Sequence, residues 1–237
     1  ALTSVLDLKT ERVVVDPNAI DPAGRTSIDF YVPSLDGRYV AVSLSKDGTE
    51  DGSLHFYETA TGRKLDDMIP KVNGGTAGGS ATWTADARGV YYTRYPLEGE
   101  RAPEDSPFFQ QIYFHKMGAP ITEDVYVLGR EFPKIAEVEL DTSPDGRYVL
   151  ADVSNGDGGE HAFWILTPAG EWTRISAFAD NIVEARFGMD GAAYLLSRDR
   201  APKKKILRLP LATPDLRSAT VVVPESENPI EGYTPTE

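Results

Sequence analysis

The stretch Ser34-Leu35-Asp36-Gly37-Arg38-Tyr39-Val40 decides how the rest of the chain is read. A Ser or Thr followed two residues later by Asp and then Gly is a tight turn. The short carboxylate accepts from backbone further along, and Gly takes the positive φ at no steric cost. Behind it runs Tyr39-Val40-Ala41-Val42-Ser43-Leu44, β-branched and aromatic with a period of two, the mark of a strand. The phrase returns as Thr84-Ala85-Asp86-Ala87-Arg88-Gly89-Val90-Tyr91 and as Ser143-Pro144-Asp145-Gly146-Arg147-Tyr148-Val149. A worn form is Gly188-Met189-Asp190-Gly191-Ala192-Ala193-Tyr194. Asp36, Asp86, Asp145 and Asp190 lie 50, 59 and 45 residues apart, an elastic repeat.

Each repeat holds four strand-like segments. The second reads Ala81 to Trp83, Val90 to Thr93, Gln111 to Phe114 and Asp124 to Leu128. The third reads Ala136 to Leu140, Tyr148 to Val153, Ala162 to Ile165 and Trp172 to Ile175. The fourth ends in Ala219 to Val223. Four strands per unit, joined through Asp-Gly and Thr-Gly turns and without a clear helix, predict an all-β fold: a β-propeller of four-stranded antiparallel blades, about four of them. The expected blades span 27–70, 79–129, 135–176 and 182–224. A sandwich also uses many short strands, but it does not account for a turn phrase returning at blade spacing. Four blades fill nearly the whole chain, so the expectation is a partial propeller, a piece of something larger.

The 237 residues, 41% hydrophobic and 26% charged, describe a globular chain with enough apolar material for a core. Cysteine is absent, which removes disulfides and thiolate chemistry but fixes no compartment. Lys and Arg number 24 against 37 Asp and Glu, a net charge of −13, which argues against a nucleic-acid partner. The run Lys203-Lys204-Lys205 is too short to reverse it. No apolar run is long enough to span a membrane, and Ala1 to Leu8 lacks the basic flank and apolar length of a signal peptide.

The wording of the repeats carries more than their period. Val13-Val14-Val15-Asp16-Pro17-Asn18, Ser34 to Tyr39, Trp83-Thr84-Ala85-Asp86, Tyr91-Tyr92-Thr93-Arg94-Tyr95-Pro96, Gln111 to Gly118 and Glu123-Asp124 follow in order. Together they resemble the propeller part of a prolyl oligopeptidase, a family of cytosolic or periplasmic serine peptidases that cut short peptides after proline. The resemblance implies a seven-bladed propeller over an α/β-hydrolase domain, with this chain matching about the first four blades. The family's catalytic residues belong to the hydrolase domain, so no catalytic residue is carried over. The sequence holds no Gly-x-Ser-x-Gly elbow, and Gly78-Gly79-Ser80-Ala81 lacks the trailing Gly.

Two features carry site expectations. Pro96 to Pro107, bearing Glu98, Glu100, Glu104 and Asp105, reads as a mobile acidic loop inserted in the second blade, and the resemblance allows it to gate an entrance. Arg94 beside it is expected to make an internal salt bridge. Phe132, outside a strand ahead of the third blade, corresponds to a place where the family has an aromatic facing the substrate cavity, which implies a substrate contact.

The remaining candidates have plainer readings. His55, His115 and His161 occupy similar third-strand places in separate blades, which do not converge on one point, and read as packing or edge residues and not as base or metal ligands. Asp47-Gly48-Thr49-Glu50-Asp51-Gly52 with Glu58 matches a calcium loop in part, but the flanks are strand, so it reads as a turn, as does Asn155 to Gly159. Tyr39, Phe56, Trp83, Tyr91, Tyr148, Trp164 and Tyr194 read as inter-blade core, and the four repeat aspartates as acceptors of local backbone hydrogen bonds.

The sequence thus predicts a non-catalytic propeller segment without cofactor or metal. Its expected partners are an α/β-hydrolase domain and, through it, short proline-containing peptides, with a cytoplasmic or periplasmic location and no membrane partner. The alternative is a freestanding propeller that serves as a protein-interaction scaffold. Self-association of open blade faces into a ring is a further expectation.

Overall fold

The computed structural model describes residues 11–74 and 77–236. The chain divides into two compact units, Ala1–Ile135 and Ala136–Glu237, each built from two four-stranded antiparallel sheets. In the first unit, β1 (Thr26–Pro33), β2 (Tyr39–Lys46), β3 (Gly52–Glu58) and β4 (Lys64–Asn73) pair in sequence order. So do β5 (Ala81–Trp83), β6 (Gly89–Arg94), β7 (Gln111–Lys116) and β8 (Val125–Leu128). The second unit repeats the pattern with β9 (Glu137–Thr142), β10 (Val149–Ser154), β11 (His161–Leu166) and β12 (Trp172–Ser176). Its second sheet comprises β13 (Ile182–Phe187), β14 (Ala192–Ser197), β15 (Lys205–Pro210) and β16 (Thr220–Val223). These meanders are the blades of a partial β-propeller.

The repeated phrase folds as its chemistry dictates. Ser34 Oγ donates to Asp36 Oδ1 at 2.7 Å while accepting from the Tyr39 N–H at 3.0 Å, and the Arg38 N–H donates to the same carboxylate at 3.0 Å. Ser143, Asp145, Arg147 and Tyr148 repeat these bonds at 2.7, 3.1 and 3.0 Å. Gly37 and Gly146 sit at φ of 68° and 73°. In the second blade the same position is Ala87, held at φ 55°, and the Thr84–Asp86 bond survives at 2.8 Å. Asp190 departs from the expectation: its carboxylate is taken by side chains, Arg208 Nε at 2.7 Å and the Tyr194 hydroxyl at 3.2 Å. The worn phrase lacks the Ser or Thr that fixes the other three carboxylates over the turn. A short helix, α1 (Pro17–Ile20), was not anticipated; Asp16 caps it by accepting from the Asn18 N–H at 2.9 Å.

Alternation along the strands gives each sheet two apolar faces. In the first unit, Leu54, Phe56 and Ile69 of one blade meet Trp83, Val90 and Tyr92 of the next. Phe56 packs edge-on against Trp83 at 5.5 Å between centroids, and Trp83 Nε1 donates to the Val32 carbonyl at 2.9 Å. The opposite face of the first blade carries Val40, Val42, Leu44 and Tyr57, against which Val14 and Val15 pack. In the second unit Leu150, Phe163 and Ile165 meet Ile182, Leu195 and Leu209. Full burial of such a side chain stabilises by about 1.5–3 kcal/mol, so these faces, not the turns, hold neighbouring blades together.

Candidate functional site

The insertion in the second blade begins where β6 ends. Arg94, 8% exposed, carries its charge into the protein and is met by Glu100. Nη1 donates to Oε2 at 2.6 Å and Nη2 to Oε1 at 3.0 Å, the planar fork matching the carboxylate. The guanidinium also lies 4.0 Å from the Tyr113 ring centroid. Glu100 Oε2 accepts from the Leu97 N–H at 2.8 Å. Hydrogen bonding from Arg94 outweighs partial burial and holds the Glu100 carboxyl below its ordinary range. The salt bridge expected of Arg94 is therefore present, and it ties the insertion to its own strand.

A second tie closes the other end. Lys134 Nζ donates to Asp105 Oδ1 at 2.6 Å, and the Phe109 N–H donates to the Lys134 carbonyl at 2.9 Å. Lys134 and Arg101 lie over the Phe109 ring at 5.5 and 3.8 Å. Gln110, fully buried, donates to the Gly78 carbonyl at 3.2 Å. The sequence reads this segment as a mobile loop with four carboxylates alike. In the structure Glu100 and Asp105 are neutralised by Arg94 and Lys134, while Glu98 and Glu104 are exposed and make no ion pair among the described residues.

Phe132 lies outside a strand, in a turn closed by its N–H donating to the Gly129 carbonyl at 3.2 Å. It is only 7% exposed, so little of the ring is available for contact within this chain. Two residues on, Lys134 reaches the insertion, so the structure brings the Phe132 segment and the acidic loop together.

One constellation escaped the sequence. His115 on β7, 0% exposed, has Nδ1 at 2.7 Å from Asp124 and Nε2 at 3.1 Å from Asp67, which stands on β4 of the neighbouring blade. Asp67 also accepts from the Gly118 N–H at 2.6 Å, and the Tyr92 hydroxyl donates to Asp124 at 2.7 Å. Burial, with the Asp124 carboxylate, pushes the Tyr92 phenol up. Asp67 lines a cleft of about 870 Å³ between the two blades, rimmed by Arg38, Arg63, Arg88 and Lys116. The arrangement bolts two blades together, with the imidazole shut away from solvent. His161 pairs with Asp152 at 2.7 Å, and that bond raises its pKa.

The other candidates stand apart. Ser80, in Gly78-Gly79-Ser80-Ala81, precedes β5, and a Cβ on Gly79 would meet the Val72 carbonyl at 2.0 Å, so close backbone approach explains that glycine. Of the partial calcium loop, Asp51 is held by Lys71 at 2.5 Å and Glu58 by Arg63 at 3.7 Å. Among the described residues no group of three or more His, Asp or Glu is disposed to hold a metal ion. Nor is any described helix long and apolar enough to cross a membrane.

Comparison with known proteins places these features in a family. Residues 3–236 match the family model described as prolyl oligopeptidase, N-terminal beta-propeller domain. A prolyl endopeptidase of Elizabethkingia meningoseptica is 25% identical over 228 residues, covering 94% of this chain and 31% of the relative. Prolyl oligopeptidase A of Galerina marginata is 22% identical over 217 residues, covering 83% and 29%. Among solved structures, one from a study of two prolyl endopeptidases and their inter-domain dynamics superposes with a TM-score of 0.76 at 22% identity, covering 91% of this chain and 31% of that one. Prolyl oligopeptidase B of Galerina marginata, bound to a 35mer hydrolysis and macrocyclization substrate, gives 0.71 at 20%, covering 90% and 31%. The chain thus spans about 30% of the length of these relatives.

Proposed function

Because the chain belongs to the prolyl oligopeptidase family, as part of the N-terminal β-propeller domain, we propose that it works without catalysis of its own. It is a section of propeller wall that limits which peptides reach an α/β-hydrolase domain outside this chain. The peptides are short and proline-containing, and the protein works in the cytoplasm or periplasm. The observation that carries this reading is the doubly tied insertion of the second blade. Arg94–Glu100 and Lys134–Asp105 hold the loop in place, and Glu98 and Glu104 are left to face solvent. A fixed obstacle excludes by size, and two uncompensated carboxylates bias approach by charge in a manner that salt screens. Phe132, beside the second tie, is the proposed point of substrate contact, which requires its turn to open.

The test is made on the complete enzyme. Glu98→Gln with Glu104→Gln is expected to abolish the difference in salt dependence of kcat/KM between cationic and neutral proline peptides. An undiminished difference overturns the electrostatic part of the proposal. A wild-type enzyme that cuts long folded chains as readily as short peptides overturns the gating itself.

A further inference from the structure

The sequence contains two Asn-Gly pairs, Asn73-Gly74 and Asn155-Gly156, and the fold treats them oppositely. In such a pair the glycine nitrogen can attack the asparagine side-chain amide, because glycine puts no Cβ beside the attacking atom and leaves the backbone free to turn. Asn18 and Asn181 are followed by Ala and Ile, whose side chains shield that nitrogen, and Asn228 by Pro, whose nitrogen carries no hydrogen. Asn73 closes β4 and is 9% exposed. It pairs with Gly52 of β3, and its Nδ2 donates to the Glu50 carbonyl at 3.0 Å. A Cβ on Gly52 would lie 2.7 Å from the Asn73 Cβ, and one on Gly79 2.9 Å from its Cα, so backbone hems the residue in on two sides. Its side chain cannot swing onto the Gly74 nitrogen without leaving the sheet.

Asn155 stands in the turn between β10 and β11, at φ −90° and ψ 64°, outside both strands. Gly156 and Gly159 hold φ of 58° and 72°, and Asp157 to Glu160 are exposed. The Gly156 N–H donates to nothing among the described residues, so the attacking nitrogen is uncommitted. Two bonds restrain Asn155. Its N–H donates to the Glu160 carbonyl at 2.9 Å, and its Nδ2 to the exposed Glu160 carboxylate at 3.1 Å. Water replaces the second bond at little cost.

We propose that Asn155 is a site of spontaneous deamidation, and that the fold protects Asn73 from the same reaction. The Gly156 nitrogen bonds to Asn155 Cγ, its proton and the side-chain amide leave together as ammonia, and a succinimide ring remains. Water then opens the ring. Addition at Cγ restores the chain as aspartate, and addition at the Asn155 backbone carbonyl carbon leaves the chain running through the side chain as isoaspartate. Either product sets a carboxylate where Nδ2 donated to Glu160, so an attraction becomes a repulsion. Asp157 adjoins it, and burial, then the Asp157 charge, already raise the Glu137 carboxyl above its ordinary range. Isoaspartate also lengthens the main chain inside the turn beyond the Ser154–His161 pair. Conversion thus adds charge and slack to the β10–β11 turn as the molecule ages, whatever the propeller does to peptides.

The 237-residue chain is incubated, sampled over time, digested and mapped by mass spectrometry, with the free peptide Ser154 to Glu160 incubated beside it. The fragment bearing Asn155 is expected to gain the mass of an amide turned to acid and to split into two chromatographic peaks, aspartate and isoaspartate. Its rate should exceed that of the Asn73 fragment at least about tenfold, because Asn73 reacts only after the sheet around it opens. Hydrogen exchange at the backbone N–H of position 155 should be faster in the converted fraction than in the unconverted one. Conversion of Asn73 as fast as that of Asn155 overturns the proposal. So does an Asn155 that stays intact while the free peptide converts fully, and unchanged exchange at position 155 overturns the loosening of the turn. No arm of the experiment involves peptide uptake, so failure here and failure of the gating proposal are told apart.

Discussion

Removing either partner of the Arg94–Glu100 pair breaks the two hydrogen bonds between them, and removing Glu100 also frees the exposed Leu97 N–H, but the consequences differ chiefly because the partners are buried to different depths. Arg94 is 8% exposed, whereas the Glu100 side chain retains 44% of its surface. In Arg94→Met the carboxylate turns to water and the apolar stem volume is kept, so the loss is about 1 kcal/mol. In Glu100→Ala the guanidinium is left inside with only the Tyr95 carbonyl at 3.2 Å and the face of Tyr113. Breaking a fully buried pair costs about 3–5 kcal/mol, and discounting for the exposed carboxylate gives about 2 kcal/mol for Glu100→Ala. The double variant should resemble Arg94→Met, giving a coupling of about 2 kcal/mol. Because the chain forms two units, a single unfolding midpoint is a poor readout. Native-state hydrogen exchange at the backbone N–H of position 100, which bonds the Leu97 carbonyl at 3.0 Å, reads the loop directly. An Arg94→Met loss equal to or above that of Glu100→Ala, or strictly additive losses, refutes the argument from burial.

Gly37→Ala and Gly146→Ala place a Cβ at φ of 68° and 73° and should each destabilise by about 1–2 kcal/mol in thermal unfolding. Ala87→Gly should be near neutral, because relief at φ 55° offsets a lost buried methyl of about 0.8 kcal/mol. Trp83→Phe removes the bond to the Val32 carbonyl and opens a gap between blades, for a loss of about 2–3 kcal/mol by urea unfolding. His161 has its pKa raised above 6.5 by Asp152, so its pairing stabilises fully below 6.5 and fades as pH rises through the folded-state pKa. The stability difference between wild type and His161→Gln should therefore be largest in mild acid and shrink with increasing pH, and a difference that grows with pH contradicts it.

Strands and turns were legible because their causes are local. Ser34, Asp36 and Gly37 form the turn among themselves, and alternation shows which side of Leu54-His55-Phe56 faces inward. The Arg94–Glu100 tie spans six residues and could be anticipated. Lys134–Asp105 spans 29, and nothing near either residue announces the other. Asp67 and His115 are separated by 48 residues and meet only because adjacent blades bring an outer strand to the face of the next. No periodicity within a blade encodes that. Reading the histidines one blade at a time misses the acids that come to them, Asp67 and Asp124 to His115 and Asp152 to His161. Ala87 shows the opposite failure: the glycine that signals the turn is absent, and the turn forms because Thr84 and Asp86 still close it.

The central claim is that this segment sets a size limit while contributing no chemistry. The direct measurement is made on the complete enzyme: the ratio of cleavage of a proline site in a long chain to cleavage of the same site in a short peptide, before and after Glu100→Ala with Lys134→Ala releases both ties. The account predicts that the ratio rises. A ratio that stays fixed, in a variant shown by hydrogen exchange at the backbone N–H of position 100 to have lost its loop protection, contradicts it.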